Sequence, residues 1–192
     1  MTKTENFAKV EVSSQEDLRE WLLANHTQAE SVWLVTYKKH VGDKYVSVGD
    51  ILDEVLCFGW IDGIRRKLDA DRTMQLISPR KSQHWAKTYK DRAERLEQEG
   101  RMHPAGRAAI ETSKANGLWN FMDDVDALIK PDDLISALEA RPPALTNFDT
   151  FPPASKRFVL RWIKLAKTPK TRAKRIEKTA LLAAENKRIP GS

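Results

Sequence analysis

The stretch from Ile51 to Pro79 restricts the fold most, because it passes from a helical to a strand pattern within a few residues. "ILDEVLCF" has the apolar spacing of an amphipathic helix, with Ser47 as a plausible N-cap and Gly59 as the C-cap. From Trp60 onward, apolar residues alternate on both sides of a polar "DADR" turn, which predicts an antiparallel hairpin, and Gly63 permits a bulge in it. A helix that runs directly into a hairpin favours an α+β fold.

Three further elements, a strand, a helix and a second strand, are predicted before this stretch. "SSQEDLREWLLANH" begins with a capping box, in which Ser13 caps the helix and Glu16 reaches back to it. The apolar stripe of this helix consists of Leu18, Trp21 and Leu22. "SVWLVTYKK" is rich in strand-forming residues with few polar interruptions, so we expect a strand that is covered on both faces. The predicted order is βαβαββ, with a small antiparallel or mixed sheet and packed helices.

The hairpin is expected to lead into a long helix. In the second hairpin strand, Met74 and Leu76 alternate with the polar Gln75. After Pro79, Ser82 is predicted to cap a helix that ends near Gly100. Its apolar face would contain Trp85, Tyr89, Ala93 and Leu96.

The remainder of the chain is predicted to be a helical C-terminal part. "PDDLISALEAR" forms a short helix, "LWNFMDDVDALIK" a connecting loop, and two last helices separate at Thr168 and Pro169. Prolines cluster between residues 131 and 153, which indicates a boundary near residue 125. We therefore expect an α+β module over residues 1–125. Residues 126–192 would form a basic helical region, packed on the first as one compact unit.

The positive charge of the chain is concentrated at its C-terminal end. Residues 155–192 hold 12 Lys and Arg against 2 Glu, whereas the other 154 residues hold 21 basic and 25 acidic side chains. Such a basic region either attracts phosphate backbones or an anionic membrane surface, or is a solvated helical face that pairs with the acidic remainder. No apolar run approaches the length of a membrane span, so none is predicted.

Several kinds of chemistry are disfavoured by the residues present. Cys57 is the only cysteine, which rules out an internal disulfide and a cysteine zinc cluster, and its position at a helix C-terminus raises the pKa of a thiol. The four histidines show no i, i+4 pair, and there is no glycine-rich phosphate loop. The carboxylates of "DDVD" suit either Mg²⁺ or the start of a helix. We predict neither a metal nor a cofactor.

An arginine- and tryptophan-rich constellation is the remaining candidate site, as a binding site for an anion. Guanidinium groups bind carboxylates or phosphates in a bidentate manner, and a helix beginning at Ser82 would add unpaired N–H groups. Alternatively, the tryptophans are core residues and the arginines pair with Asp62, Asp69 and Asp71 across the hairpin. The candidate residues are Trp60, Asp62, Arg65, Arg66, Arg80, Lys81, Ser82 and Trp85.

Five segments of the sequence resemble the YdeI/OmpD-associated family, often called bacteriocin-protection proteins. They are "DEVLCFGWIDG", "SPRKSQHWAK", "EGRMHPAGRAAI", "PDDLISAL" and "AKTPKTRAKRIEK", and the likeness extends from about Trp21 to Pro190. The resemblance implies a role in protection against antibacterial peptides or in envelope-stress resistance, and it supplies no catalytic residues. Because the N-terminal sequence lacks an apolar signal region and the chain has one cysteine, we expect a cytoplasmic location.

Three hypotheses of function follow. The first is a non-enzymatic protein that binds an anionic small molecule or peptide carboxylate between the hairpin and the following helix. The second is a nucleic-acid-binding protein that contacts phosphates through the C-terminal residues Lys167, Lys170, Arg172, Lys174 and Arg175. The third is an enzyme on an anionic substrate, with Asp62 or His103 in acid–base roles. No sequence feature specifies an oligomeric state.

Overall fold

A four-stranded mixed sheet organises the first part of the chain in the computed structural model, which describes residues 6–191. The strands lie in the order β1-β2-β4-β3, with β1 parallel to β2 and the other neighbours antiparallel. Their bounds are β1 Lys9–Glu11, β2 Val32–Tyr37, β3 Trp60–Lys67 and β4 Arg72–Pro79. The predicted α+β fold with a small mixed sheet is confirmed.

Four α-helices accompany this sheet in the described part of the first 120 residues. They are α1 Gln15–Asn25, α2 Val48–Cys57, α3 Lys87–Gln98 and α4 Pro104–Ala115, with a short 3₁₀ helix at Lys39–Lys44. The N-cap of α1 is Ser14, one residue later than predicted, and its hydroxyl accepts a hydrogen bond from the backbone N–H of Asp17. The N-cap of α2 is Ser47, as predicted.

The first hydrophobic core lies between β2 and the helices α1 and α2. Both faces of β2 are covered, because five consecutive residues, Val32 to Thr36, are buried. Leu18 and Leu22 of α1 and Ile51 of α2 are fully buried against this strand in one cluster. Burying each such side chain contributes about 1.5–3 kcal/mol, which accounts for the run of four apolar residues from Val32 to Val35.

The hairpin of β3 and β4 forms as predicted, and the face of β4 that is buried carries the polar Gln75. Gln75 and Ile77 are buried, whereas Met74 and Leu76 are only partly covered. Gln75 is tolerated inside because its amide Nε2 donates a hydrogen bond to Asp62 on β3. The register of the pair shifts between Asp62 and Arg65, which is the bulge expected at Gly63.

The helix after the hairpin begins at Lys87, and the prediction that Ser82 caps it is wrong. Backbone N–H groups of the intervening segment have other acceptors: that of Lys81 donates to the side chain of Gln83, and that of Trp85 donates to the carbonyl of Leu118. Residues 81–86 therefore form an irregular segment, which we call the 81–86 loop.

Helices make up the rest of the described chain. They are α5 Asp123–Asp126, α6 Asp132–Glu139, α7 Ala144–Thr150, α8 Pro153–Lys164 and α9 Pro169–Ala184. The prediction missed α7, and it was wrong for the short α5, which lies in the segment 118–130 that was expected to be a connecting loop. The chain divides between Asn120 and Phe121 into two compact units. The second unit has its own core, which includes Leu134, Leu138 and Phe148. In residues 6–191, no helix combines the length and apolar character that a membrane crossing requires.

Candidate functional site

Arg80 lies where β4 ends, and its guanidinium group is enclosed by aromatic rings. The guanidinium carbon is 3.9 Å from the ring centroid of Trp85 and 5.6 Å from that of Tyr89. Its Nη1 donates to the backbone carbonyls of Gln83 at 3.2 Å and His84 at 3.5 Å. Its Nε and Nη2 atoms are buried and have no hydrogen-bond partner in the described chain. One whole edge of this cation is therefore unpaired.

The electrostatic surroundings of Arg80 are unusual for a buried cation. Burial lowers the pKa of the Arg80 guanidinium to about 10, and the nearby Tyr89 and Asp62 only partly offset this effect. The group is still protonated at neutral pH. Within residues 6–191 it has no ion-pair partner, although buried charges are ordinarily paired.

Asp62 and Tyr89 form a hydrogen-bonded pair beside Arg80. The hydroxyl of Tyr89 donates to Oδ1 of Asp62, and Nε2 of Gln75 donates to Oδ2 at 3.1 Å. Burial, together with the hydrogen bond to Asp62, raises the pKa of the Tyr89 hydroxyl. The Tyr89 hydroxyl therefore acts as a hydrogen-bond donor, and the two hydrogen bonds fix the orientation of the Asp62 carboxylate.

Unsatisfied buried polar atoms are concentrated in this one cluster. In the described chain, four buried side-chain atoms lack a hydrogen-bond partner, and all belong to Gln75, Arg80 and Trp85: Gln75 Oε1, Arg80 Nε, Arg80 Nη2 and Trp85 Nε1. Each unpaired buried group costs about 1–3 kcal/mol. We call Asp62, Gln75, Arg80, Trp85 and Tyr89 the Arg80 cluster; three N–H nitrogens and one carbonyl oxygen in it have no hydrogen-bond partner.

The remaining predicted site residues do not join the Arg80 cluster. Trp60 is a core residue whose Nε1 donates to the carbonyl of His26, and Arg65 is exposed on β3. Arg66 is also exposed, with its guanidinium carbon 5.3 Å from the Trp33 ring centroid. Trp60 and Trp85 are buried, as the second alternative expected, but one part of each alternative needs correction.

The first correction concerns the loop. Lys81 and Ser82 are exposed in the 81–86 loop, so the expected helix N-terminus is not beside them. The Nζ of Lys81 donates to the carbonyl of Ala29.

The second correction concerns the expected ion pairs of the hairpin. Asp69 pairs with Arg72, at 2.7 Å, and Asp71 contacts His40. Asp62 is bonded to uncharged side chains. Arg65 and Arg66 therefore do not neutralise these carboxylates.

Tyr89 and Gln75 are the members of the cluster that the sequence did not assign to a site. Tyr89 was expected on an apolar helical face, and Gln75 was identified only as the polar residue that alternates with Met74 and Leu76. The one available signal in the sequence was the lone polar residue Gln75 between Met74 and Leu76. The structure buries Gln75, leaving 5% of it exposed.

Two other candidate residues, Cys57 and His103, have a place in the fold that does not require a ligand. Cys57 is buried, and burial, with the charge of Glu54 second, raises the pKa of its thiol to about 11, in agreement with an inert cysteine. His103 caps α4 through Nδ1, which accepts from the N–H of Ala105 at 3.2 Å. In the described chain, no three His, Cys, Asp or Glu side chains gather in a way that could hold a metal ion.

Comparison with known families divides the chain into two parts. Residues 10–109, just over half of the chain, match the model of a domain of unknown function (DUF8412). Residues 127–186 match the model described as Bacteriocin-protection, YdeI or OmpD-Associated. The chain belongs to the first family, whose model covers just over half of it, and its C-terminal part is similar to the second.

The resemblance to the YdeI/OmpD-associated family is thus confirmed, with its match at residues 127–186. The motifs "DEVLCFGWIDG" and "SPRKSQHWAK", which contain most of the Arg80 cluster, lie in the domain of unknown function instead. No curated protein and no solved structure matches the chain.

Proposed function

We propose that the protein is a non-enzymatic binder of a small carboxylate-bearing molecule, and that the carboxylate pairs with Arg80. The observation that carries this proposal is the unpaired Nε–Nη2 edge of the Arg80 guanidinium. These two N–H groups point the same way from a planar cation, which is the geometry that binds both oxygens of a carboxylate. A ligand would supply the counter-charge that the fold does not.

The neighbours of Arg80 restrict the kind of anion. Asp62 is close enough to affect the pKa of Arg80, so a doubly charged phosphate would meet repulsion that a single carboxylate meets only in part. Gln75 Oε1 is a buried acceptor without a donor, which suits a ligand that also carries an N–H group. The C-terminus of a peptide has both features, a carboxylate and an adjacent amide N–H.

Entry of a ligand requires the 81–86 loop to move, because the unpaired Nε and Nη2 atoms of Arg80 are buried and a ligand could not reach them otherwise. This loop has neither helical nor strand hydrogen bonding, and Lys81 and Ser82 at its start are exposed. This exposed start can open at low free-energy cost, whereas the buried Trp85 holds the other end of the loop in the core. Lys81 would add a second positive charge near the mouth.

Such binding is compatible with the family description. A protein that sequesters a peptide through its C-terminal carboxylate would keep that peptide from its target, and this would protect the cell. We propose that this takes place in the cytoplasm, which the single, buried Cys57 supports. Asp62 and His103, the residues considered for acid–base catalysis, serve here as a hydrogen-bond acceptor and a helix cap.

A thermal-shift titration tests the proposal. N-acetylglycine, which has a carboxylate and an adjacent N–H, should raise the melting temperature, whereas N-acetylglycinamide, which lacks the charge, should not. Arg80→Met should abolish the shift, and Arg157→Gln, which removes an exposed arginine of α8, should preserve it. An equal shift with the amide, or with Arg80→Met, would refute the role of Arg80.

The alternative of nucleic-acid binding is supported by one observation on α9. Lys170, Lys174 and Lys178 lie four residues apart, are exposed, and have no hydrogen-bond or ion-pair partner among the described residues. Arg172 and Arg175, also predicted to contact phosphates, are used inside the unit: Arg172 pairs with Asp133, and Arg175 donates to the carbonyl of Trp162.

Fluorescence anisotropy with a labelled duplex tests this alternative. Binding through the lysine face should weaken steeply with salt, and Lys174→Gln should reduce the slope of log K against log salt by about 1. A flat salt response rules the alternative out.

A further inference from the structure

A pocket lies between α3 and α4, and none of its lining residues belongs to the Arg80 cluster. Its volume is about 650 Å³, which is within the range of small-molecule sites. The apolar part of its lining consists of Ala93, Ile110 and Trp119. Trp119 also contacts the buried Trp85, with ring centroids 4.8 Å apart, and this packing restricts the motion of the Trp119 ring.

Two ammonium groups lie beside the Trp119 ring. The Nζ of Lys90 on α3 is 5.3 Å from the ring centroid, and the Nζ of Lys114 on α4 is 5.5 Å from it. The one ion pair of Lys114 is with Glu111, one turn earlier, and both side chains are about half exposed or more. Exposed pairs of this kind contribute little, so a ligand carboxylate can displace Glu111.

The lining of the pocket also carries negative charge. Glu94 lies one turn after Lys90 on α3 and has no hydrogen-bond or ion-pair partner in the described chain. Over the whole lining, four carboxylates face three cations: Asp91, Glu94, Glu97 and Glu111 against Lys90, Arg107 and Lys114. A polyanion is therefore disfavoured here, and a ligand with one charge of each sign is matched.

We infer that this pocket binds a small aromatic zwitterion of the amino-acid type. The aromatic ring would stack on Trp119 above Ala93 and Ile110, the carboxylate would lie between Lys90 and Lys114, and the ammonium group would pair with Glu94. Such a ligand would contact the Trp119 ring with its aromatic ring, and it would pair its two charges with the ammonium groups and the carboxylate of the lining. The inference is independent of the role of Arg80.

Saturation-transfer difference NMR with three probes tests the inference. L-phenylalanine has both charges, 3-phenylpropionate lacks the ammonium group, and phenethylamine lacks the carboxylate. We expect L-phenylalanine to bind with a dissociation constant in the millimolar range, and each analogue to bind about three- to fivefold more weakly. Analogues that bind as tightly as L-phenylalanine would overturn the inference that the pocket recognises both charges of a zwitterion.

Variants assign each charge to its partner. Lys114→Gln should weaken L-phenylalanine and 3-phenylpropionate but leave phenethylamine unchanged, whereas Glu94→Gln should weaken L-phenylalanine and phenethylamine but leave 3-phenylpropionate unchanged. Trp119→Leu should abolish the signal, and Lys178→Gln on α9 should leave it intact. A signal that survives in Trp119→Leu, or its absence in the unaltered protein, would overturn the site. A signal lost in Arg80→Met would place the ligand at the Arg80 cluster instead.

Discussion

The hydroxyl of Tyr89 donates a hydrogen bond to Asp62, and this bond joins α3 to β3, the first strand of the hairpin. The two residues are 27 positions apart in the chain. Their bond places the Tyr89 ring, 5.6 Å from the guanidinium carbon, as one wall of the Arg80 cluster. The geometry of the candidate site thus depends on a polar contact between two secondary-structure elements.

Removal of the Tyr89 hydroxyl should destabilise the protein measurably. Tyr89→Phe leaves the Asp62 carboxylate with the Gln75 amide as its remaining donor, so we expect the free energy of unfolding to fall by about 1–3 kcal/mol. Urea denaturation measures this loss. The control is Tyr45→Phe, whose exposed ring makes no such bond, and whose loss should stay below about 0.5 kcal/mol.

A double-mutant cycle shows whether the two side chains act together. The cycle of Tyr89→Phe and Asp62→Ala should give a coupling free energy of about 1 kcal/mol or more. Additive losses would mean that the two side chains do not interact in solution.

Asp53 on α2 should be among the most sensitive charged residues of the fold. Burial opposes its ionisation, but hydrogen bonds from Arg95 and Arg92 outweigh this effect and hold the pKa of Asp53 below its usual value. Asp53→Asn leaves these arginines without their shared buried carboxylate, so we expect a loss of about 3–5 kcal/mol in urea denaturation. Asp91→Asn, which breaks an exposed pair with Lys87, should cost about 1 kcal/mol or less.

The depressed pKa of Asp53 also sets the direction of its pH dependence. Its contribution to stability is present above the unfolded value near 3.8 and is lost as the pH falls through the lower folded value. Acid titration of the unaltered protein and Asp53→Asn should therefore differ in slope below about pH 4. Parallel curves would contradict the assignment.

His103 should make the protein less stable in mild acid. Partial burial, followed by the charge of His26, lowers the pKa of His103 below 6.5, and its Nδ1 must be unprotonated to accept the Ala105 N–H. Protonation therefore favours the unfolded chain. The free energy of unfolding should begin to fall below about pH 6.5 and level off beneath the lowered folded value.

Two variants test this pH dependence by denaturation at several pH values. His103→Asn keeps a good N-cap and should flatten the decline. His40→Asn, which removes an exposed histidine, should retain it. A decline that persists unchanged in His103→Asn would locate the titrating group elsewhere.

Gly106 is required by the close approach of α4 to the end of α2. A Cβ atom at this position would lie 2.2 Å from the carbonyl oxygen of Cys57 and 2.8 Å from the Met102 methyl carbon. Gly106→Ala should therefore cost about 3 kcal/mol or more, because backbone atoms would have to move. Gly49→Ala in α2, where the nearest atom is 3.5 Å away, should be neutral or stabilising by up to about 1 kcal/mol. Equal effects of the two changes in thermal denaturation would contradict this packing.

Local signals predicted the elements of the sheet and its helices well. Ser47 and Gly59 mark the ends of α2 because capping and a left-handed backbone are properties of a few adjacent residues; Gly59 has φ +74°. Ser82 carries the same type of signal. It fails because the N–H of Trp85, three residues later, donates to the carbonyl of Leu118, which lies far along the chain, instead of to the Ser82 hydroxyl.

The site could be predicted only in part, for a related reason. Arg80 and Trp85 were identified because arginine and tryptophan near a turn suggest anion binding. Tyr89 and Gln75 were not, because their roles depend on which face of β4 is buried and on the long-range bond to Asp62. Neither is a property of the neighbouring sequence.

The central claim is that Arg80 is retained for a ligand rather than for the fold, and the free energy of unfolding of Arg80→Met without ligand tests it most directly. Methionine removes two unpaired buried N–H groups, which offsets the loss of the Nη1 hydrogen bonds and the contact with Trp85. We predict that urea denaturation of Arg80→Met gives a value within about 1 kcal/mol of the unaltered protein. A loss of about 3 kcal/mol or more would show that the arginine holds the structure together and would contradict the claim.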